Sequence, residues 1–201
     1  MEIIRYAELK AHPWRNGGGV TRELASHPTA ASPQDPGSVG WDWRVSIADV
    51  SRAGDFSAFP GMDRVITVVE GELLLLSVDG AEHPLEKYRP FRFSGDAAAS
   101  GALPTGDIRD LNVITRQGVF KGYTSIIELS KKRAHPVFEG QLGILLQGQA
   151  AVTPGSAGAG TTAGEPTALG RYDAVVGSDT GTPEILGRGF LAVVSIDRVA
   201  D

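Results

Sequence analysis

The chain has 201 residues, 41% hydrophobic and 21% charged, so it is long enough to fold around a substantial core. Its net charge of -5 argues against nucleic acid or an acidic membrane as the main partner, and the absence of cysteine excludes disulfides and thiolate metal sites. The first residues lack a signal-peptide pattern and no apolar run approaches the roughly 20 residues that cross a bilayer, so we expect a soluble, cytoplasmic protein.

Short segments rich in Val, Ile, Leu and Trp predict strands, because turn residues such as Asp79-Gly80 bound them. Helical spacing is almost absent, and its best window, YAELKAH near the start, is short. Two segments rich in Gly, Pro and Ser, 26–40 and 153–166, predict surface loops without regular structure. The predicted strands are 41–50, 64–71, 72–80, 110–116 and 189–197, and the segments around Val45, Val68, Leu75, Val113 and Val193 are expected to be buried strands.

A weak internal repeat indicates two related β units. The segment VITVVEGELLLLSVDG (65–80) is followed by Tyr88 and an apolar strand, and LGILLQGQAAV (142–152) is followed in the same way by Tyr172. The sequence therefore predicts an all-β bicupin with little helix: two cupin-like barrel or sandwich units, approximately 1–105 and 106–201, packed as one compact body. A small β-barrel has room for one small ligand.

The sequence offers no metal site, cofactor site or nucleophilic triad that can be recognised from spacing. Its four histidines, His12, His27, His83 and His135, are scattered singly, and the strands that carry metal ligands in other cupins read EGELLLL and QGQAAV here. The run NGGG (16–19) lacks the Lys-Ser/Thr ending of a phosphate loop and predicts a tight turn before a strand. We expect neither a metal nor a cofactor.

Polar side chains within three predicted strands are candidates for a ligand site. The two-residue period of a strand places Arg44 and Ser46 on one face, and it does the same for Asn112 and Arg116; Glu23 lies on the polar face of a third strand. A solvated outer face explains any one of these strands. Polar side chains in all three predicted strands together favour a polar interior that holds an anion, because arginine binds a carboxylate through two parallel hydrogen bonds.

The segment FSAFPGMDRVITVVEGELLLL (56–76) places Asp63 and Arg64 at the start of a strongly apolar strand. A buried unpaired charge is costly, so Arg64 either pairs with Asp63 or receives an anion. Pairing with Asp63 would place Arg64 at the surface, and receipt of an anion would place it in a pocket.

Four blocks together resemble the HutD/Ves family: WRNGGGVTRE (14–23), WRVSIADV (43–50), GDFSAFPGMDRVITVVEG (54–71) and LNVITR (111–116). The resemblance covers most of the first two thirds of the chain, and the last third matches only in general β character. It implies a bicupin fold without the usual cupin metal ligands and a role linked to bacterial histidine utilisation, with urocanate and N-formylglutamate as candidate ligands. The family's pocket arginine, in its Phe-Pro-Gly-x-x-Arg block, falls on Arg64. Ves-like members outside histidine pathways are associated with the cold response.

The resulting hypothesis is a non-catalytic binder or regulator of a small anionic metabolite, with no nucleic-acid or membrane partner. A flat ligand would stack on Trp14 or Trp43. The alternative is a metal-independent cupin enzyme, an isomerase or a deformylase-like hydrolase, with Glu23 or a histidine as general base. A homodimer is left open. The candidate binding residues are Arg64, Arg44, Asn112, Arg116, Ser46, Asn16, Trp14, Trp43 and Glu23.

Overall fold

The computed structural model describes residues 1–29, 39–155 and 164–200. The described secondary structure is β apart from one short 3-10 helix, Tyr6–Glu8, within the best helical window of the sequence. The first strands are β1 Glu2–Ile4, β2 His12–Pro13, β3 Gly19–Pro28, β4 Trp41–Val50, β5 Gly54–Asp55, β6 Met62–Glu70, β7 Leu73–Val78, β8 Ala81–Glu86 and β9 Phe91–Ser94. The remaining strands are β10 Ala99–Ala102, β11 Ile108–Arg116, β12 Phe120–Leu129, β13 His135–Pro136, β14 Gln141–Thr153, β15 Thr167–Leu169, β16 Ala174–Val176 and β17 Glu184–Arg198.

The chain divides into two compact units that exchange their terminal segments. The N-terminal unit contains Lys10–Tyr123 and the segment from Asp197 onward, and the C-terminal unit contains Met1–Leu9 and Thr124–Ile196. The first strand therefore belongs to the unit built mostly from the end of the chain. The approximate division at residue 105 that the sequence suggested stays a prediction.

The N-terminal unit is a sandwich of two antiparallel sheets. The six-stranded sheet has the order β2-β3-β4-β11-β6-β9, and the four-stranded sheet has the order β5-β10-β7-β8. Alternating apolar residues of both sheets meet in one core, in which Ile66 and Val68 of β6 pack with Leu74 and Leu76 of β7. Because the described strands form separate ladders, the unit is a cupin-like sandwich and the closed barrel considered from the sequence is not formed.

The C-terminal unit is built on one seven-stranded sheet. Its main path is β1-β16-β14-β17-β12, with β13 paired to β17 and β15 paired to β14. Its core cluster includes Leu145, Val175, Ile185 and Leu191. An ion pair fastens the first segment to this unit, because Arg5 lies 2.5 Å from the buried Asp173 carboxylate.

The inner face of the six-stranded sheet changes from apolar to polar along its strands. On β6 this face carries Val68 and Ile66 and then Arg64; on β4 it carries Ala48 and then Ser46. The apolar end is covered by the four-stranded sheet. The polar end is where a cavity opens.

The internal repeat predicted from the sequence appears as equivalent backbone geometry in the two units. Tyr88 and Tyr172 both adopt a positive φ of 67°, which is rare for a residue with a side chain. The N–H of Tyr88 donates to the carbonyl of Val68, and the N–H of Tyr172 donates to the carbonyl of Leu145. Each acceptor lies two residues before the Glu-Gly or Gln-Gly dipeptide of its own repeat.

Both predicted loops begin later in the structure than the sequence-based expectation. Strand β3 extends to Pro28 and β14 to Thr153, so the first residues of 26–40 and 153–166 are paired in sheets; 30–38 and 156–163 lie outside the described residues. The segments around Val45, Val68, Leu75, Val113 and Val193 form strands with buried residues, as predicted, and Leu75 itself is half-buried. The alternation of the strand turns Leu74 and Leu76 into the core, and Leu75 has the opposite parity.

Candidate functional site

A cavity of about 670 Å³ lies within the N-terminal unit, over the polar end of the six-stranded sheet. Seven of the nine sequence-predicted residues line it: Arg64, Arg44, Asn112, Ser46, Asn16, Trp14 and Glu23. The lining also includes His12, Arg15, Asp55, Phe56, Ser57 and Phe59, which the sequence-based reasoning did not select. The volume is within the usual range for small-molecule sites.

Arg64 is the most buried charged group of the cavity lining, with 4% of its surface exposed. Its NH1 donates to the Ser57 carbonyl at 3.1 Å and its NH2 donates to Asn112 Oδ1 at 3.0 Å. The Nε–H is buried without a hydrogen-bond partner among the described residues. No described carboxylate lies within ion-pair distance of this guanidinium, and burial lowers the pKa of Arg64 to about 10, a fall that Asp110 opposes.

Three phenylalanine rings surround the same guanidinium. The Arg64 Cζ lies 4.8 Å from the ring centre of Phe93, its cross-strand partner on β9, and 5.3 and 5.7 Å from the rings of Phe59 and Phe56. The two latter residues belong to the turn before β6, where Gly61 adopts a φ of 71° that favours glycine. The Phe-Pro-Gly turn thus folds over Arg64, and the ring faces compensate part of its lost hydration.

Asp63 does not pair with Arg64. As the neighbouring residue of a strand it points to the opposite face, where it accepts a hydrogen bond from Gln117 Nε2 at 3.1 Å and lies 3.8 Å from Arg92. The question raised by the Asp-Arg dipeptide is therefore answered by strand parity: one residue faces outward and the other lines the cavity.

Asp110, which was not selected from the sequence, is fully buried on β11 behind Asn112. Its Oδ1 accepts a hydrogen bond from Asn112 Nδ2, and its Oδ2 has no partner among the described residues. Burial raises the pKa of Asp110 to about 7; Arg64 opposes the rise, and Asp49 adds to it. The period-two pattern that identified Asn112 extends to Asp110, so this residue could have been found from DLNVITR.

Arg44 provides a second cation beside Arg64. It is half-buried, and its Cζ lies 4.9 Å from the ring centre of Trp41 and 5.7 Å from that of Phe59. Its Nε is buried without a hydrogen-bond partner among the described residues. Burial lowers the pKa of Arg44, and the carboxylate of Glu23 opposes this effect. Phe59 is thus shared by both arginines and holds them on one side of the cavity.

The polar residues of the neighbouring strands form a row across the sheet. Glu23 of β3 is opposite Ser46 of β4, which is opposite Asn112 of β11. Glu23 accepts a hydrogen bond from Ser26 Oγ at 2.7 Å. The row supplies hydrogen-bonding groups beside the two arginines.

The NGGG segment forms the turn before β3, as the sequence predicted. Asn16 Oδ1 accepts the N–H of Gly18 at 2.9 Å, and Gly17 adopts a φ of 67°. At Gly19 an added Cβ would lie 2.3 Å from the Asp49 carbonyl, so this close approach requires glycine. The turn brings Trp14 to the cavity, where its Nε1 donates to Thr21 Oγ1 at 2.8 Å.

Arg116 and Trp43 are not part of the cavity lining. The Arg116 Nε donates to the Asp42 carboxylate at 2.6 Å, so its charge is already paired at the end of β11. Trp43 has the opposite parity to Arg44 and stacks on His27, with the ring centres 6.0 Å apart. The two-residue period of β4 places Trp43 on the face opposite Arg44, so the predicted stacking of Trp43 on a cavity ligand is not supported.

No described helix is long and apolar enough to span a membrane. Within residues 1–29, 39–155 and 164–200, no group of three or more His, Cys, Asp or Glu side chains is arranged to hold a metal ion. His12 is the one histidine of the cavity lining.

Comparisons with known proteins give a consistent result. The family model HutD matches residues 6–193. Protein Ves from Citrobacter koseri is 39% identical over 119 residues, which represent 58% of this chain and 59% of Ves, so the chain spans less than two thirds of that curated relative.

Solved structures agree over nearly the whole chain. HutD from Pseudomonas fluorescens SBW25, described for a formate condition, has a TM-score of 0.74 and 27% sequence identity, with 99% of each chain covered. A cupin 2 conserved barrel domain protein from Leptotrichia buccalis has a TM-score of 0.57 at 8% identity, with 98% of this chain and 96% of that chain covered. The second likeness shows the cupin fold alone.

Proposed function

Because this chain belongs to the HutD family, as its four sequence blocks predicted, we propose that its cavity binds a small anionic metabolite of histidine degradation. In this proposal the protein reports the level of that metabolite and regulates histidine utilisation. Urocanate and N-formylglutamate are the candidate ligands.

The observation that carries the proposal is the state of Arg64. Its guanidinium is 4% exposed, lines a cavity and has no carboxylate at ion-pair distance in the described residues, and these features support an anion site. Arg44 adds a second positive charge to the same cavity. A carboxylate that reached Arg64 would form charge-assisted hydrogen bonds in surroundings that exclude water, where such bonds are strongest.

The volume and lining of the cavity suit the two candidates. Trp14, Phe56 and Phe59 offer apolar surface for the imidazole of urocanate or the carbon chain of N-formylglutamate. Ser46, Asn112 and Asn16 supply hydrogen-bonding groups for the remaining polar atoms. We favour binding over catalysis because Asp110, the carboxyl group with a raised pKa, is not among the residues that line the cavity.

Replacement of Arg64 tests the proposal by isothermal titration with each candidate. Arg64→Ala removes a charge-assisted contact worth about 1.5–3 kcal/mol, so we expect affinity to fall roughly ten- to a hundredfold. Arg64→Lys restores only part of the loss, because an ammonium cannot reproduce the planar fork of a guanidinium. The ligand recovered after titration is expected to be chemically unchanged.

Arg116→Ala is the matched control, because it removes an arginine that pairs with Asp42 outside the cavity. We expect this variant to bind with wild-type affinity. If Arg64→Ala binds as tightly as wild type, or if wild type binds neither candidate, the proposed site is wrong. Conversion of the ligand would replace binding with catalysis as the function.

A further inference from the structure

The proposed function gives no role to Asp110, although its side chain is completely buried beside the cavity. On β11 it is opposite Ala48 of β4 and Val68 of β6, so apolar residues flank it across the sheet. A carboxyl group in such surroundings costs free energy when it is ionised. A buried carboxyl group at position 110 therefore needs either a partner that stabilises it or a functional role that offsets its cost.

One amide connects this carboxyl group to the cavity arginine. Asn112 Nδ2 donates to Asp110 Oδ1, and Asn112 Oδ1 accepts the hydrogen bond from Arg64 NH2 at 3.0 Å. The two bonds fix the orientation of the amide, because a reversed amide would place its NH₂ against the guanidinium. Asp110 thus holds the acceptor that positions Arg64.

In the described part of the chain, two charged residues shift the pKa of Asp110. Arg64 from β6 attracts its negative charge, and Asp49 from β4 repels it. Arg44 and Glu23 both line the cavity; Arg44 adds to the fall in the pKa of Arg64, and Glu23 opposes the fall in the pKa of Arg44. In the empty cavity Arg64 and an ionised Asp110 balance each other, and the half-buried Arg44 is balanced by Glu23; a bound anion therefore adds an uncompensated negative charge.

We propose that Asp110 is a positioning residue for Asn112 and Arg64 and that it takes up a proton when an anion binds to Arg64. The proton comes from the solvent and adds to a carboxylate oxygen of Asp110. The buried set of arginine, ligand carboxylate and carboxylic acid then keeps a net charge of zero. No covalent bond to the ligand forms. This inference rests on the proposed function.

The direction of the pH effect follows from the charges. The pKa of Asp110 in the empty protein is about 7, and a neighbouring anion raises it further. Affinity therefore increases as the pH falls toward 7, by at most tenfold per pH unit for one proton, and becomes constant below 7 because Asp110 is then protonated with or without ligand.

Calorimetry measures the proton directly, with N-formylglutamate as the probe because it has no group that titrates near pH 7. Titrations at pH 8 in phosphate and in Tris, buffers of low and high ionisation enthalpy, are expected to show uptake of a large fraction of one proton per ligand. At pH 5.5 the uptake is expected to be close to zero. A wild type that binds through Arg64 without uptake at pH 8 would overturn the inference and leave the proposed function intact.

Asp110→Asn preserves the acceptor for Asn112 and removes the titrating group. We expect this variant to show no uptake at either pH and to bind more tightly than wild type at pH 8. Asp63→Asn, which removes a carboxylate on the opposite face of β6, where it contacts Gln117 and Arg92, is the matched control and should retain uptake. Uptake that persists in Asp110→Asn would exclude Asp110 as the acceptor.

A second measurement does not depend on the folding of a variant. In wild type labelled with [4-¹³C]aspartate, the infrared difference spectrum on ligand binding at pH 8 is expected to lose one carboxylate band and gain one protonated carboxyl band. The absence of this change despite binding would overturn the inference. Failure of the wild type to bind the probe at all would instead contradict the proposed function, on which the inference depends.

Discussion

The surroundings of Arg64 explain how a cation is tolerated at 4% exposure without a contacting carboxylate. Phe56, Phe59 and Phe93 present ring faces to it, and the Ser57 carbonyl and Asn112 accept two of its five N–H groups. This arrangement holds the guanidinium in place without a direct carboxylate partner among the described residues. A direct carboxylate partner would occupy the position that we propose for the anion.

The raised pKa of Asp110 predicts a pH dependence of folding stability. A carboxyl group with a pKa of about 7 in the folded protein and an ordinary pKa of 3.8 in the unfolded chain binds more protons when folded, so its contribution is present at low pH and is lost as the pH rises through 7. We expect the free energy of unfolding of wild type, relative to Asp110→Asn, to fall by at most about 1.4 kcal/mol per pH unit between pH 5 and 7.

Urea unfolding followed by tryptophan fluorescence checks this dependence. Trp14, Trp41 and Trp43 all lie in the N-terminal unit, so the signal reports the unit that contains Asp110. Above pH 7 the difference between the two proteins should become constant. A difference that does not vary between pH 5 and 8 would mean that Asp110 has an ordinary pKa.

Strand parity predicted much of the site from the sequence. It assigned Arg44 and Ser46 to one face and Asn112 to another polar face, and all three line the cavity. It could not show that Arg116 is neutralised by Asp42, because that pair joins residues far apart in the chain. Phe59 was missed because its contact with both arginines depends on the fold of a turn that has no period.

At the scale of elements, β14 runs through the Gln147-Gly148 dipeptide of the second repeat as one strand, and its pairing with β17 depends on glycines at two facing positions. Gly148 adopts a φ of 100°, and a Cβ at this position would lie 2.0 Å from the Arg188 carbonyl on β17. The cross-strand neighbour, Gly189, has a φ of 118°. The close approach of the two backbones excludes a side chain at position 148 of β14 and at position 189 of β17.

Gly148→Ala is therefore expected to destabilise the C-terminal unit severely. Gly181→Ala is the control in the same unit, because its φ of 67° imposes a backbone cost but its Cβ would meet only the Gly155 carbonyl at 3.6 Å. We expect a loss of about 1–2 kcal/mol for the control and a larger loss for Gly148→Ala, measured by thermal unfolding in far-ultraviolet circular dichroism. Equal losses would show that β14 and β17 separate at little cost.

The sequence predicted the presence of strands more accurately than the residues at which they begin and end. The predicted segment 41–50 coincides with β4, whereas 189–197 corresponds only to the last part of β17, Glu184–Arg198. Residues Glu184 to Arg188 mix Gly, charged and apolar side chains, so composition gave no sign of pairing. Their strand conformation is imposed by the ladder with β14.

At the scale of the whole molecule, the exchange of terminal segments makes the C-terminal unit depend on residues from the start of the chain. Strand β1 pairs with β16 through Glu2, Ile3 and Ile4, and Arg5 contacts the carboxylate of Asp173. This exchange could not be predicted from the sequence, because a three-residue strand has too little pattern to reveal its partner.

Deletion of residues 1–9 is expected to weaken the C-terminal unit selectively. Strand β16 would become an edge strand, and Asp173, which is 5% exposed, would lose its cationic partner. Hydrogen exchange should accelerate at least tenfold for the amides of 174–176 and remain unchanged for those of 108–116. Arg5→Ala, which keeps β1, should give a smaller effect; equal acceleration in both regions would contradict the assignment of β1 to one unit.

The same exchange of segments has a consequence for biosynthesis. Strand β1 is translated before every other described strand, and its partner β16 is translated near the end. At about 5–20 residues per second, roughly ten to thirty-five seconds separate the two on the ribosome. All strands of the two N-terminal sheets emerge within that interval. The two sheets can therefore form while residues 1–9 have no strand to pair with. A nascent-chain binding factor that held those residues would delay the C-terminal unit and leave the N-terminal unit free to fold.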